Sequence, residues 1–144
     1  MKHLLLFFLL FVSFVSIGQD YVDKWDASYS SQGGQEVIDV ATNSVGETYV
    51  LATKFTGQDY DAILVKYDIK GVKLWEKSYS SNYGNSEDHA VRLAIDGDND
   101  NIFVLVNINP EGHQNAQVAN GIIVLKYSPS GDLLADYELS LIHI

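Results

Sequence analysis

An internal repeat constrains the fold of this chain more than any other feature of its sequence. The segment ILVKY at 63–67 returns sixty positions later as IVLKY at 123–127, and a glycine follows each copy at the same distance. WEKSYSS at 75–81 has a counterpart fifty positions earlier in WDASYSS at 25–31. The spacing grows along the chain, as expected where repeats differ by loop insertions. The chain therefore contains tandem copies of one structural unit.

Short runs rich in β-branched and aromatic residues predict strands between Gly-, Asn- and Ser-containing turns. The predicted strands are residues 25–31, 37–42, 47–54, 61–68, 72–80, 90–95, 102–108, 122–127 and 132–138. After residue 18 no stretch of ten residues shows a helical period. The sequence thus predicts an all-β chain with about four strands per repeat, which is the requirement of a β-propeller blade.

Several predicted strands are apolar at consecutive positions, namely residues 63–65, 102–106 and 122–125. A strand with one wet face alternates apolar and polar residues, whereas a strand covered on both faces does not. Because each blade of a propeller is covered by its neighbours, the pattern favours a propeller over a sandwich.

The unit also resembles the β-propeller repeat of secreted bacterial proteins, which are often seven-bladed. The resemblance depends on DAILVKYD at 61–68, Gly71, Leu74-Trp75 and NIFV at 101–104. Residues 65–75 are also similar to repeats of pyrroloquinoline-quinone-type propellers. Ala135 departs from the pattern, because it stands where Trp75 stands in the preceding copy. The resemblance implies a propeller fragment with about two four-stranded antiparallel blades, at 25–68 and 72–127, and the first strand of a third.

Residues 1–18 have the form of a cleavable signal peptide, with a basic start, an apolar run from Leu4 to Val15 and small residues before Gln19. Cleavage near Gly18-Gln19 predicts a secreted or cell-surface protein, with no membrane insertion after signal removal. The alternative is a buried or membrane-anchoring N-terminal helix. The propeller repeats then occupy residues 19–138.

The last six residues, LSLIHI at 139–144, resemble the translated end of a sequencing adapter. We therefore interpret them as an adapter-derived tail, and the alternative is an ordinary short apolar strand. If the tail is adapter-derived, the natural protein continues past Glu138.

The charge of the chain narrows the classes of partner that it can bind, and its cysteine content bears on its stability. The chain has 19 acidic and 9 basic residues, with a net charge of −10, which argues against nucleic acid or an anionic membrane as partner. It has no cysteine, so its stability depends on packing without disulfides.

The sequence shows no catalytic constellation and implies no cofactor. Asp96, Asp98 and Asp100 alternate as at the start of a calcium loop, but Asn107 stands where the bidentate Glu is required, and a solvated hairpin turn is favoured. His89 and His113 fall in separate loops without metal-ligand spacing. The adjacent acids at 87–88, and those at 59 and 61, are interpreted as solvated loop residues.

Aromatic residues divide into two groups. Those that recur in each copy, which are Trp25 and Trp75, Tyr29 and Tyr79, and Tyr67 and Tyr127, are predicted to serve packing. Tyr60, Tyr83 and His113 do not recur and are the predicted loop contacts with a ligand.

The hypothesis that follows is an exported, non-enzymatic propeller module. It presents loops for protein or glycan binding and is flanked by neighbouring blades in a larger surface or secreted protein. One alternative is the propeller portion of a secreted enzyme, either a quinone-dependent dehydrogenase or a polysaccharide-cleaving enzyme, with catalytic residues outside this chain. Another is a structural spacer.

Overall fold

The computed structural model describes residues 33–81, 86–110 and 121–140, which form eight β-strands and no helix. The strands are β1 (Gln35–Thr42), β2 (Thr48–Phe55), β3 (Tyr60–Tyr67), β4 (Lys73–Tyr79), β5 (Ser86–Ile95), β6 (Ile102–Pro110), β7 (Gly121–Tyr127) and β8 (Leu133–Ser140). The all-β prediction is confirmed, and the eight strands predicted after residue 36 all occur. The strand predicted at 25–31 lies outside the described residues.

The strands pair as two antiparallel meanders. β1 to β4 pair in chain order and form the N-terminal meander, and β5 to β8 likewise form the C-terminal meander. A single parallel bridge between Tyr60 and Glu87 joins them into one eight-stranded sheet that is not closed. The unit boundaries differ from the sequence-based ones, because β4 pairs with β3 and β8 with β7. A tight glycine turn precedes each of these two strands and returns it onto the strand before it.

The two meanders share their irregularities as well as their strand order. A register shift falls between Val37 and Asp39 in β1 and between Ala90 and Arg92 in β5. A second shift falls at residues 66–67 and again at residues 126–127. Since bulges are local features of a chain, their recurrence shows that both meanders are copies of one unit.

The turns at 68–71 and 128–131 also have the same structure. Gly71 donates its N–H to the carbonyl of Asp68 at 3.0 Å, and Gly131 donates to that of Ser128 at 2.9 Å. Both glycines have positive φ angles, 81° and 88°, which other residues rarely adopt. This accounts for the recurrence of glycine at these two positions.

The main core lies between the two meanders. Its buried residues come from both, and they are Tyr49, Leu51, Ala62, Leu64, Ala90, Leu93, Ile102, Val104, Val106, Ile108, Ile123, Leu125 and Tyr127. The space in this core that is lined by Leu51, Leu64, Val104 and Leu125 is too small to hold a water molecule. Burial of this apolar surface is the main term that holds the meanders together.

A second, smaller cluster lies on the other face of the N-terminal meander. It consists of Ile63, Val65 and Tyr67, with Val50 packed against it. In β3, Ile63 and Leu64 are therefore both buried although they point to opposite faces. The prediction of a strand covered on both faces is confirmed for the run at 63–65. In the runs at 102–106 and 122–125 alternate residues are only partly buried, so these strands are fully covered on one face.

The turn at 128–131 inserts against the N-terminal meander. The carbonyl of Pro129 accepts hydrogen bonds from Lys66 Nζ at 3.0 Å and from Trp75 Nε1 at 3.3 Å. Gly131 lies under the Trp75 ring so closely that a Cβ there would be 3.1 Å from two ring carbons. Trp75 thus serves packing between repeats, as its recurrence predicts, while Trp25 lies outside the described residues.

Candidate functional site

A pocket of about 300 Å³ opens at the end of the molecule where β1, β3 and β5 begin. β5 lies close to β1, β2 and β3 and brings these strand ends together. The lining residues are Gly34, Gln35, Glu36, Thr53, Tyr60 and His89. The pocket is therefore shared between the two meanders, because His89 belongs to the C-terminal meander and the others to the N-terminal one.

Aromatic rings form one wall of the pocket. The Tyr60 and His89 rings stack with centroids 5.1 Å apart and planes 29° apart. Phe55 contacts Tyr60 at 5.1 Å, with the planes tilted by 51°. Glu87 Oε2 lies 3.3 Å from His89 Nε2. Phe55 and Glu87 thus each hold one residue of the wall in place.

At the pocket, Thr53 links β2 to β5 through a hydrogen bond. This side chain is buried, and its Oγ1 accepts a hydrogen bond from the Ala90 N–H at 3.0 Å. Nearby, Asp39 Oδ2 accepts a hydrogen bond from the Leu93 N–H at 3.0 Å. Because each bond joins the N-terminal meander to β5, the pocket geometry depends on the contact between the meanders.

Apart from the Tyr60 phenol and the His89 imidazole, the ionisable groups at the pocket are carboxylates. Glu36 lines the pocket and Glu87 lies beside it, while none of the six lining residues is Lys or Arg. Glu36 is exposed, whereas the Glu87 side chain is mostly covered. The pocket therefore combines an aromatic wall with negative charge at its rim.

Asp88 lies next in sequence to this acidic rim but has a different role. Its carboxylate is fully buried and accepts hydrogen bonds from the Ser81 N–H and from Ser86 Oγ, the latter at 2.8 Å. Burial raises the pKa of the Asp88 carboxyl above its ordinary value, against the opposing effect of these bonds. Asp88 thus fastens the end of the β4–β5 connection and is not open to a ligand.

The adjacent acids do not converge on a shared proton. Glu87 and Asp88 point to opposite faces of β5, since successive side chains alternate along a strand. Asp59 accepts a hydrogen bond from the Thr56 hydroxyl, and Asp61 accepts one from Ser78 Oγ at 3.1 Å. Each carboxylate has its own local hydrogen-bond partner.

Of the three predicted loop contacts, only Tyr60 belongs to the described residues, and the structure places it in the pocket. Tyr83 and His113 lie outside the described residues. The sequence analysis places His89 in a loop, which is wrong, because this residue belongs to β5 and lines the pocket. Its position 29 residues after Tyr60 gives no sign of the ring stack, because the contact depends on how β5 crosses the N-terminal meander.

The three alternating acids form part of the β5–β6 turn. Asp96 Oδ1 accepts a hydrogen bond from the Asp98 N–H at 3.1 Å, and the backbone of Asp100 has a φ of 54°. The bond from Asp98 keeps the pKa of the Asp96 carboxyl below its ordinary value. Among the residues that the structure describes, no three His, Cys, Asp or Glu side chains are grouped so as to hold a metal ion.

A comparison of the chain with models of known protein families and with curated protein sequences gave no match. Within residues 33–81, 86–110 and 121–140, no helix is long and apolar enough to cross a membrane.

Proposed function

We propose that the chain is part of an exported, non-enzymatic β-propeller module that presents strand ends and loops for protein or glycan binding. In this proposal further blades of the same repeat flank the two meanders in the full-length protein.

The proposal rests on one observation: the two meanders pack head to tail. Each therefore contributes a different face to the contact, and they are not related by a twofold axis. The face that the N-terminal meander turns to its neighbour contains Tyr49, Leu51, Leu64, Lys66 and Trp75. In the C-terminal meander the same ladder positions are held by Phe103, Leu105, Val124, Lys126 and Ala135. These five lie on its other face, where all are only partly buried.

Such a head-to-tail contact leaves the same face available after each unit, so that further units can add until a ring closes. The other face of each meander shows the same head-to-tail arrangement. It contains the equivalent cross-strand pairs Val50–Val65 and Val104–Leu125. The first pair lies on the face away from the C-terminal meander, and the second lies in the core between the meanders. Repeated stacking of four-stranded antiparallel units is the principle of a propeller.

Export is supported by the signal-like sequence at residues 1–18, and binding by the pocket at the strand ends. Preformed concave sites with a few precisely placed polar groups are typical of ligand binding, and this pocket combines two aromatic rings with polar side chains. A module without catalytic groups is consistent with carboxylates that each serve local structure.

The stacking part of the proposal is tested by fusing a second copy of residues 86–140 after Ser140 and measuring urea unfolding. If the added unit stacks on the free face, unfolding remains one transition and its midpoint rises. A matched fusion with Leu105→Glu on that face should lose the gain. An added unit that unfolds independently, leaving the first transition unchanged, would contradict the proposal.

Export is tested separately by expressing the chain in a bacterium and sequencing the secreted product from its N-terminus. The proposal expects a product that begins at Gln19. A protein that stays in the cell with Met1 intact would refute the exported location without affecting the stacking result.

A further inference from the structure

The pocket between the meanders has a chemistry that selects one class of ligand. Its volume of about 300 Å³ suits one long side chain and is at the lower limit for small-molecule sites. Tyr60 and His89, whose rings stack on each other, both line this space. A flat, polarisable group can stack on such a wall.

The charge of the pocket distinguishes cationic ligands from anionic and neutral ones. Glu36 lines the pocket and Glu87 stands beside His89, with neither Lys nor Arg among the lining residues. The whole chain carries a net charge of −10, which attracts cations and repels anions over longer distances. A neutral sugar would gain the stacking but not the electrostatic attraction.

The guanidinium group of arginine meets both requirements at once. It is planar and stacks on aromatic faces, and its N–H groups form a fork that fits a carboxylate. Lysine offers a point charge without the planar surface. We propose that this pocket binds an arginine side chain of a basic segment in a partner protein, an inference that rests on the binding-module function proposed above.

The test is an NMR titration of the uniformly ¹⁵N-labelled chain with the tripeptide acetyl-Gly-Arg-Gly-amide. Its control is the same tripeptide with citrulline, which keeps the shape but is neutral. The arginine peptide should bind with a Kd of order 1–10 mM, as expected for one anchored side chain. Shifts should be confined to the lining residues, and the citrulline peptide should bind at least about fivefold more weakly.

Two variants sharpen the result. Glu36→Gln, at an exposed position, should weaken the arginine peptide about three- to tenfold and leave the fold intact. Asp98→Asn removes the same charge in the distant β5–β6 turn and should leave the Kd unchanged. Equal effects of both variants would mean that only the overall charge matters, and the site would be rejected.

A neutral disaccharide, cellobiose, is the competing probe. If cellobiose shifts the lining residues and the arginine peptide does not, the ligand class is wrong while a binding module remains. If neither probe shifts them at 50 mM, the pocket is not a binding site. Neither result bears on the stacking of repeats, which the fusion experiment tests independently.

Discussion

The two meanders carry the same face in different surroundings, and the difference shows which residues depend on a neighbouring unit. In the N-terminal meander, Tyr49 and Leu51 are fully buried against the C-terminal meander. Their counterparts Phe103 and Leu105 occupy the equivalent ladder positions but are only partly buried. The burial of these positions is thus set by the neighbouring unit and not by the strand itself.

The comparison extends to the two lysines on these faces. Lys66 is buried, lies 5.4 Å from the Tyr49 ring centroid and pairs with Glu47 at 2.7 Å. Lys126 lies in the same way over Phe103 at 5.3 Å, but Asn101 stands where Glu47 stands. Since a buried ammonium requires a partner, the acid accompanies the lysine that is enclosed between units.

The largest expected difference between the faces concerns leucine. Leu51→Ala leaves a cavity in the core between the meanders and should lower the free energy of unfolding by about 2–5 kcal/mol. Leu105→Ala, its counterpart on the free face, should cost less than about 1.5 kcal/mol because water can fill the space. Urea unfolding of both variants measures the difference, and equal losses would break the comparison.

The next largest effect concerns the tryptophan. Trp75→Ala removes the ring over Gly131 and the hydrogen bond to Pro129, and should cost about 2–4 kcal/mol. The reverse change on the free face, Ala135→Trp, should alter the unfolding free energy by less than about 0.5 kcal/mol. A stabilisation or loss of 2 kcal/mol from Ala135→Trp would show that this face is already occupied.

Two glycine substitutions distinguish the destabilisation caused by backbone strain from that caused by crowding between the two meanders. Gly46 and Gly131 both have positive φ, at 83° and 88°, so alanine strains either turn by about 1 kcal/mol. Only at Gly131 does a Cβ also crowd the Trp75 ring, whereas at Gly46 it meets one methyl carbon at 3.4 Å. Gly131→Ala should therefore shift the thermal midpoint about twice as far as Gly46→Ala in a differential scanning experiment.

The smallest expected effect is a pH dependence. The hydrogen bond from Lys66 keeps the pKa of Glu47 below its ordinary value of 4.5, so this carboxylate stabilises the fold above pH 4.5. That contribution is lost as the pH falls from 4.5 through the lowered value, because over this range the unfolded chain binds a proton that the folded chain does not. Glu47→Gln should flatten the decline of stability measured between pH 5 and pH 3.

The control for this pH dependence is Glu76→Gln. Its ion pair with Lys73 is more exposed, with the Lys73 side chain 48% accessible, and such pairs contribute little. This variant should keep the wild-type slope between pH 5 and pH 3. Asp88 contributes with the opposite sign, since its raised pKa favours the folded state as the pH falls.

Much of the fold could be predicted from the sequence because strand and turn signals are local. The run at 63–67 and its copy at 123–127 fixed two strands, and the glycines at 71 and 131 fixed the hairpins that follow them. The strand to which β4 pairs was not predicted. A repeat sets the period of a pattern but not the point at which one sheet ends and the next begins.

The candidate site was less predictable. Tyr60 was found because it does not recur between the copies, which separates it from the packing aromatics. His89 and Thr53 reach the same pocket only through the contact of β5 with the N-terminal meander. Contacts across such an interface leave no signal in the local sequence.

The central claim, that Leu51 is enclosed by the neighbouring meander while its counterpart Leu105 is only partly buried, is tested most directly by thiol labelling. The chain contains no cysteine, so Leu51→Cys and Leu105→Cys each provide a single probe at equivalent positions. Reaction with an aromatic disulfide reagent should be at least about tenfold slower at position 51, where labelling requires the meanders to separate. Equal labelling rates at the two positions would contradict the account.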